Sequence, residues 1–407
     1  MCRSIVSCSL SPNTEADDVL LAVRYLLMPW TWKNGSAIKQ AEEWFERYFR
    51  GYKAISFNSG RSALLAILRA FDVGKGDDIL IQAFTCVAVP NSVRWAGSRP
   101  VYVDIDDTLN LDISDAEKKI TPKTKVIIVQ HTFGIPADMD KVLKFAKKHK
   151  LILIEDCAHS LGATYRGKKV GTLGDAAFFS FGRDKVVSSV FGGMATINAK
   201  CKMQNAKLKE YQEKLPNPSH FWIFQQLLHP VAFSAILLLY NVIIGKVLLV
   251  LLQKLGLLTF PVYPEEKRGQ KPADFPAKFT NSLAVLLLQQ LVKLERYNKN
   301  RREVAQYYES ELKRKNGVTQ AKMRDGSIFL RYAVFVDDPH TLLHKAKQQA
   351  VLLGNWYHNI VDPKGVDYAI AGYRLGSCPK AQEAAEQTVN LPTRISKAEA
   401  DRVIAAL

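Results

Sequence analysis

Between Ala54 and about Asn198 the chain alternates short apolar runs with longer stretches whose apolar positions recur every three or four residues. The runs Ala54–Phe57, Asp78–Ile81, Val101–Val103, Lys125–Val129, Leu151–Ile154 and Ala176–Phe181, rich in Val, Ile and Phe, predict strands. Between them Ser62–Phe71, Val87–Ala96 and Asp138–His149 predict amphipathic helices. Several strands are almost wholly apolar, as expected where helices cover both faces of a sheet. The alternation therefore predicts an α/β domain with a mostly parallel sheet, and chemistry at the carboxyl ends of its strands. Beyond Asn198 the pattern breaks. Ser282–Leu312 reads as one long helix, and the remainder, from about Asn316, mixes the strand-like YAVFV with helices and reads as a smaller α+β domain. Near the end Ser396 reads as an N-cap, with Glu399 completing a capping box. The expected division is 1–45 as an N-terminal segment, 46–215 as the large domain, 216–270 as an apolar insert, and 271–407 as long helix plus small domain.

The insert is anomalous. From Phe221 to Tyr263 there is no acidic residue, and the only formal charges are Lys246 and Lys254. VAFSAILLLYNVIIG, VLLVLL and LGLLTF follow one another, interrupted by Gln225, Gln226, His229, Pro230, Asn241 and Gly245. A full crossing needs about 20 uninterrupted apolar residues. The interruptions and the basic flanks instead suggest a helical hairpin that dips into one leaflet, broken at Pro230 and Gly245. The alternative is buried helices packed against the protein body or a partner.

Composition narrows the classes. The 407 residues are 47% hydrophobic with a net charge of +17, too apolar for a disordered chain and long enough for two or three domains. Six cysteines stand far apart without a CxxC pair, so no disulfide scaffold or zinc site is indicated, and no metal is expected. The N-terminus lacks the pattern of a signal peptide, which points to the cytoplasm, with peripheral or monotopic contact at the inner membrane face through 221–263. The positive charge suits phosphorylated ligands or anionic lipid. Nucleic acid is not supported, since the basic residues are scattered and no recognition motif accompanies them.

Three clusters carry candidate chemistry. Lys185 follows the strand AAFFSF within SFGRDK, beside Ser180. Asp156 ends the apolar run LILIED, and a carboxylate buried at a strand terminus needs a cationic or donor partner. Asn58-Ser59-Gly60-Arg61-Ser62 joins the strand AISF to a helix, a turn whose backbone N–H groups favour a dianion, with Ser62 as a hydroxyl donor. Lysine, aspartate and phosphate turn are the three groups that pyridoxal phosphate (PLP) chemistry requires.

Taken in order, FNSGRSAL, VGKGDDILIQAFTCVAVPNSV, PVYVDID, ITPKTKVIIVQHTFGIPADMD, LILIEDCAHSLGATYRGKKVGTLGDAAFFSFGRDK, GGMATIN, QQLVKLERYNKNRREVAQYY and VNLPTRISKAEADRVI resemble the DegT/DnrJ/EryC1/StrS family of PLP-dependent nucleotide-sugar aminotransferases. The resemblance implies the type I aminotransferase fold, with 46–215 as the PLP-binding domain. It implies Lys185 as the Schiff-base lysine and general acid/base, and Asp156 as the partner of the pyridine nitrogen. His159 stands where the family has Gln near the ring, Ser180 at a phosphate contact, and Gly60 and Arg61 where it has Gly-Thr. Phe84 is the aromatic nearest the family's ring-stacking position, because Cys86 follows Thr85 here. Pro276-Ala277-Lys278 replaces an Asn-Tyr-Arg whose Asn reaches the partner's phosphate, leaving Lys278 or Asn281 as substitutes. Phe191 replaces an acid, and Trp356, Tyr357 and His358 fall among substrate-pocket positions. The implied reaction is ping-pong transamination of a nucleotide-linked keto-sugar with glutamate as donor, in a homodimer. The alternatives are a PLP-dependent sugar dehydratase, which has His at the lysine position, and a non-catalytic membrane-associated binding protein.

Overall fold

The computed structural model describes residues 5–240, 243–313 and 315–407; Asn241, expected to interrupt the insert, lies outside them. Seven strands form the central sheet: β1 (Tyr52–Phe57), β2 (Asp78–Gln82), β3 (Arg99–Val103), β4 (Thr124–Gln130), β5 (Ile152–Asp156), β6 (Ala176–Ser180) and β7 (Gly193–Asn198). Their order is β1-β7-β6-β5-β4-β2-β3. β7 runs antiparallel to both neighbours, and the other pairings are parallel. Ile79, Leu80 and Ile81 of β2 and Val126, Ile127 and Ile128 of β4 are all buried, as two covered faces demand. Helices α1 (Ala16–Leu26), α2 (Ser36–Tyr48), α3 (Gly60–Ala70), α4 (Ala88–Trp95) and α5 (Met139–His149) precede β7 or lie between the strands. One face of the sheet packs on α2 and α5, the other on α3 and α4.

β7 escapes a reading of apolar runs because it opens on Gly193. A Cβ there would stand 2.3 Å from the Ser59 carbonyl oxygen, so glycine is what lets β7 pass beneath the turn before α3. After β7 come α6 (Lys202–Glu213), then α7 (His220–Leu239) and α8 (Ile244–Lys254), which pack together as a hairpin. Contrary to the expected break, α7 continues through Pro230, which is buried within it. Ile223 and Leu227 of α7 join the same core as Ala22 of α1. Gly245 lies in the first turn of α8, where a Cβ would meet the Ile236 carbonyl at 2.3 Å; it permits close packing of the two helices.

The expected single helix over 282–312 is two, α9 (Asn281–Val292) and α10 (Leu294–Leu312), meeting at Lys293. Lys293 is buried, and its Nζ donates to Asp17 Oδ1 at 2.5 Å and Asp18 Oδ2 at 3.0 Å, tying the joint to the start of α1. Strands β8 (Thr319–Gln320), β9 (Arg331–Phe335) and β10 (Thr388–Pro392) form an antiparallel sheet, backed by α10 and by the final helix α11 (Lys397–Ala406). Ser396 and Glu399 make the capping box of α11.

Candidate active site

The parallel register sets Phe178 of β6 opposite Asp156 of β5, and Asp156 opposite Gln130 of β4. Asp156 and Ser180 therefore emerge at the same edge of the sheet, where α3 begins. Lys185 follows on the loop after β6, and its N–H donates to the Gly182 carbonyl at 3.1 Å. Asp156, Lys185, Ser180, His159, Gly60 and Arg61 all line one cavity of about 120 Å³. Residues up to 125 positions apart in sequence are thus assembled by the sheet register and by one tight helix start.

That helix start has a defined logic. Ser59 caps α3 by accepting the Ser62 N–H at 3.2 Å. Gly60 presses against β6, and a Cβ there would lie 2.9 Å from Ser180 Cβ. Ser59, Gly60 and Arg61 line the cavity together with Ser180, so the N-terminus of α3 borders it, where a helix favours an anion. Ser62 does not line the cavity: it is buried, and its hydroxyl donates to Asn58 Oδ1 at 2.8 Å. Phe84 also stands outside, fully buried and edge-on to Phe133 and Tyr357. Trp356 and Tyr357 supply the cavity's aromatic wall, while His358 is exposed beside Asp362. Asn281 is committed elsewhere, donating to the Thr31 carbonyl at 2.9 Å and accepting the Ala37 N–H at 3.1 Å. Ala277 pairs through its backbone with Asn58 of the same chain.

The electrostatics lower the proton affinity of the lysine. Lys185 Nζ lies 2.9 Å from His159 Nε2 and 4.9 Å from the Trp356 ring centre. The Phe133 N–H donates to His159 Nδ1 at 3.3 Å, which leaves the imidazole proton on Nε2, facing the amine. Burial, then the Lys185 and Arg331 charges, hold His159 well below its ordinary value, so it stays neutral. Burial likewise pulls Lys185 down from the usual lysine range, against the opposing influence of Cys86 and Asp156. Burial pushes the Asp156 carboxyl up to about 6, although the Ala158 N–H donates to it at 3.0 Å. An amine of lowered proton affinity and a carboxyl of raised proton affinity share one cavity.

Several supporting residues are not evident in the sequence. Asn13 donates to the Lys185 carbonyl at 2.6 Å and the Val186 carbonyl at 3.2 Å. Arg301 of α10, fully buried, donates to Asn13 Oδ1 at 2.8 Å and the Val186 carbonyl at 2.9 Å. From the insert, Pro261 and Val262 form part of the cavity wall. Their segment is clamped by two arginines: Arg183 donates to the Thr259 carbonyl at 2.6 Å and to its hydroxyl, and Arg61 pairs with Glu266 and donates to the Pro261 carbonyl at 2.6 Å. Gln226 of α7 accepts the Thr259 hydroxyl at 3.0 Å. The only sequence signal was that Arg183 sits within SFGRDK and that Arg61 departs from the family's Thr.

Comparison with known proteins decides the family. The profile of the DegT/DnrJ/EryC1/StrS aminotransferase family matches residues 13–216 and 251–407, leaving out α7 and most of α8. The chain belongs to this family. Over 407 aligned residues, 98% of this chain and 96% of the relative, it is 31% identical to a GDP-perosamine synthase of Caulobacter vibrioides. Over 142 residues, 34% of this chain and 39% of the relative, it is 44% identical to a dTDP-3-amino-3,6-dideoxy-alpha-D-galactopyranose transaminase of Aneurinibacillus thermoaerophilus. The fold matches the Escherichia coli GDP-4-keto-6-deoxy-D-mannose-3-dehydratase, solved with hydrated PLP, at a TM-score of 0.75, 20% identity and full coverage of both chains.

As a DegT/DnrJ/EryC1/StrS aminotransferase the protein uses PLP, and its cavity fits that cofactor on its own terms. Lys185 offers an amine for the aldehyde, Asp156 faces it from the sheet edge, and the N-terminus of α3 with Ser180 offers a cradle for the phosphate. The Arg61 guanidinium is taken by Glu266 and the Pro261 carbonyl, so it is not free to enter that cradle.

Proposed function

We propose that this sugar aminotransferase moves the amino group of glutamate to the keto carbon of a nucleotide-linked sugar, as a homodimer working at the cytoplasmic face of a membrane. The observation that carries the reading is Lys185, buried in the cavity with its amine against neutral His159 and its charge disfavoured. Two relatives named for GDP- and dTDP-linked amino-sugar chemistry support the acceptor class. Bound PLP supplies an electron sink for the carbon that carries the transferred nitrogen.

The protein's own groups do the rest. Asp156 holds a proton at the pyridine nitrogen, which a carboxyl with a value near 6 does as an anion at neutral pH. The Lys185 amine would hold the cofactor through its aldehyde, and its Nζ would serve as the base and acid that moves the substrate-carbon proton. His159 Nε2 keeps that amine oriented. Trp356 and Tyr357 exclude water along one wall. Lysine at 185 argues against the dehydratase reading, since that chemistry has His at this position.

The test is an acceptor panel. Holoenzyme with glutamate and 3- or 4-keto sugars linked to GDP, dTDP or UDP is expected to yield an amino sugar by mass spectrometry and one equivalent of 2-oxoglutarate. A deoxygenated product without nitrogen would replace this reading with dehydration.

A further inference from the structure

The hairpin of α7 and α8 turns an apolar face outward. On α8 and its C-cap the exposed positions Val247, Val250, Leu251 and Leu255 recur at helical spacing on the side away from α7, with exposures of 60, 49, 50 and 60%. Leu248, Leu249 and Leu252 face inward and pack with Phe233 and Ile236 of α7. At the apex Leu238, Ile243 and Ile244 are exposed by 84, 66 and 58%. A surface helix of a soluble protein turns its polar side to water; this one is apolar on both sides.

Charge and length say what covers it. No acid lies between 221 and 263, and the two formal charges, Lys246 and Lys254, are exposed on α8 itself. Lysines at the two ends of a short helix bury their stems and keep their heads at a lipid headgroup layer. The 11 residues of α8 reach about 16 Å, half of a hydrocarbon core of about 30 Å. α7 is long enough to cross, but half of its most apolar window is buried against protein, so lipid cannot surround it.

We infer that the outer face of α8 and the apex of the hairpin dock into one leaflet of an anionic bilayer, without crossing it. This gives the membrane face named above a physical basis and rests on that part of the reading alone; its failure would leave the amination untouched. The acidic headgroups meet Lys246 and Lys254 while the apolar arc enters the acyl region. The wall segment carrying Pro261 and Val262 leaves the hairpin directly, so docking sets the active site close to the lipid surface.

Holoenzyme is centrifuged with vesicles of phosphatidylcholine, alone or with about one third phosphatidylglycerol. Wild type is expected in the pellet with the anionic vesicles and mostly in the supernatant with the neutral ones. Leu251→Glu, and Val247→Glu as a second exposed position, should each weaken vesicle binding at least tenfold while the cofactor spectrum and solution mass stay unchanged. Lys246→Gln and Lys254→Gln should each weaken binding to anionic vesicles about fivefold. Wild type left in the supernatant with anionic vesicles would overturn the proposal. So would a Leu251→Glu variant that still pellets but has changed its oligomeric mass, since the face would then be a protein contact.

Discussion

In the proposed reaction Lys185 carries the chemistry, and its neighbours define how each residue should answer to change. Under that reading, replacing it by alanine removes both the covalent anchor and the group that moves the proton. Lys185→Ala is expected to lose the visible absorbance of the bound cofactor and to fall at least about a thousandfold in turnover, read by spectrum and single-turnover assay. Asp156 makes a second, less intuitive prediction. Its folded value near 6 exceeds that of an unfolded aspartate near 4, so the native apoprotein binds the proton more tightly. Stability is therefore full below about pH 4, falls as pH rises towards 6, and stays reduced above it, by roughly 2–3 kcal/mol. Apo Asp156→Asn should melt higher than apo wild type at pH 8, with a gap that narrows at pH 5, while losing turnover. Lys185 and Asp156 are legible in the sequence because Asp156 ends an apolar strand and Lys185 closely follows another, each within a short motif. Asn13 and Arg301 are not, because they reach the lysine loop from 172 and 115 residues away. Ser62 and Phe84 show the converse: the motif names the residue, but the helix cap and a local ring cluster decide where the side chain goes.

At the scale of elements, strands buried on both faces are written as apolar runs, and the central ones follow directly from the sequence. β7 and the joint at Lys293 are not written that way. The first depends on a close backbone crossing at Gly193, and the second on ion pairs with Asp17 and Asp18, more than 270 residues away in sequence. In the proposed site the contact between the start of α3 and the end of β6 shapes the phosphate cradle. Gly60→Ala would push a Cβ to 2.9 Å from Ser180 Cβ, so one of the two elements must shift. The expected result is cofactor affinity weakened about tenfold, equivalent to about 1.4 kcal/mol, with the circular dichroism of the fold preserved. A fluorescence titration of the apoprotein with PLP measures it.

For the whole molecule, the sequence announces an apolar insert but not its attachment. The hairpin is fixed to the body by α1, by Ser11, whose hydroxyl sits 2.8 Å from His229 Nε2, and by the arginine clamps on its return segment. Those contacts join regions that no local pattern connects. Removing residues 220–254 should therefore not leave a soluble enzyme of normal activity. The truncated protein is expected to lose turnover by about tenfold or more through displacement of Arg183 and the lysine loop, even where cofactor still binds, and kinetics beside an absorbance spectrum separates the two effects.

Arg61 gives this attachment a historical reading. The family's threonine at that position has no guanidinium to offer, whereas here the side chain grips the backbone and carboxylate of the segment that returns from the hairpin. The substitution and the insertion form one matched unit: a relative given the hairpin alone would receive a loose return strand, and one given the arginine alone would bury a charge with nothing to hold. Grafting this device into another member of the family would require moving both together.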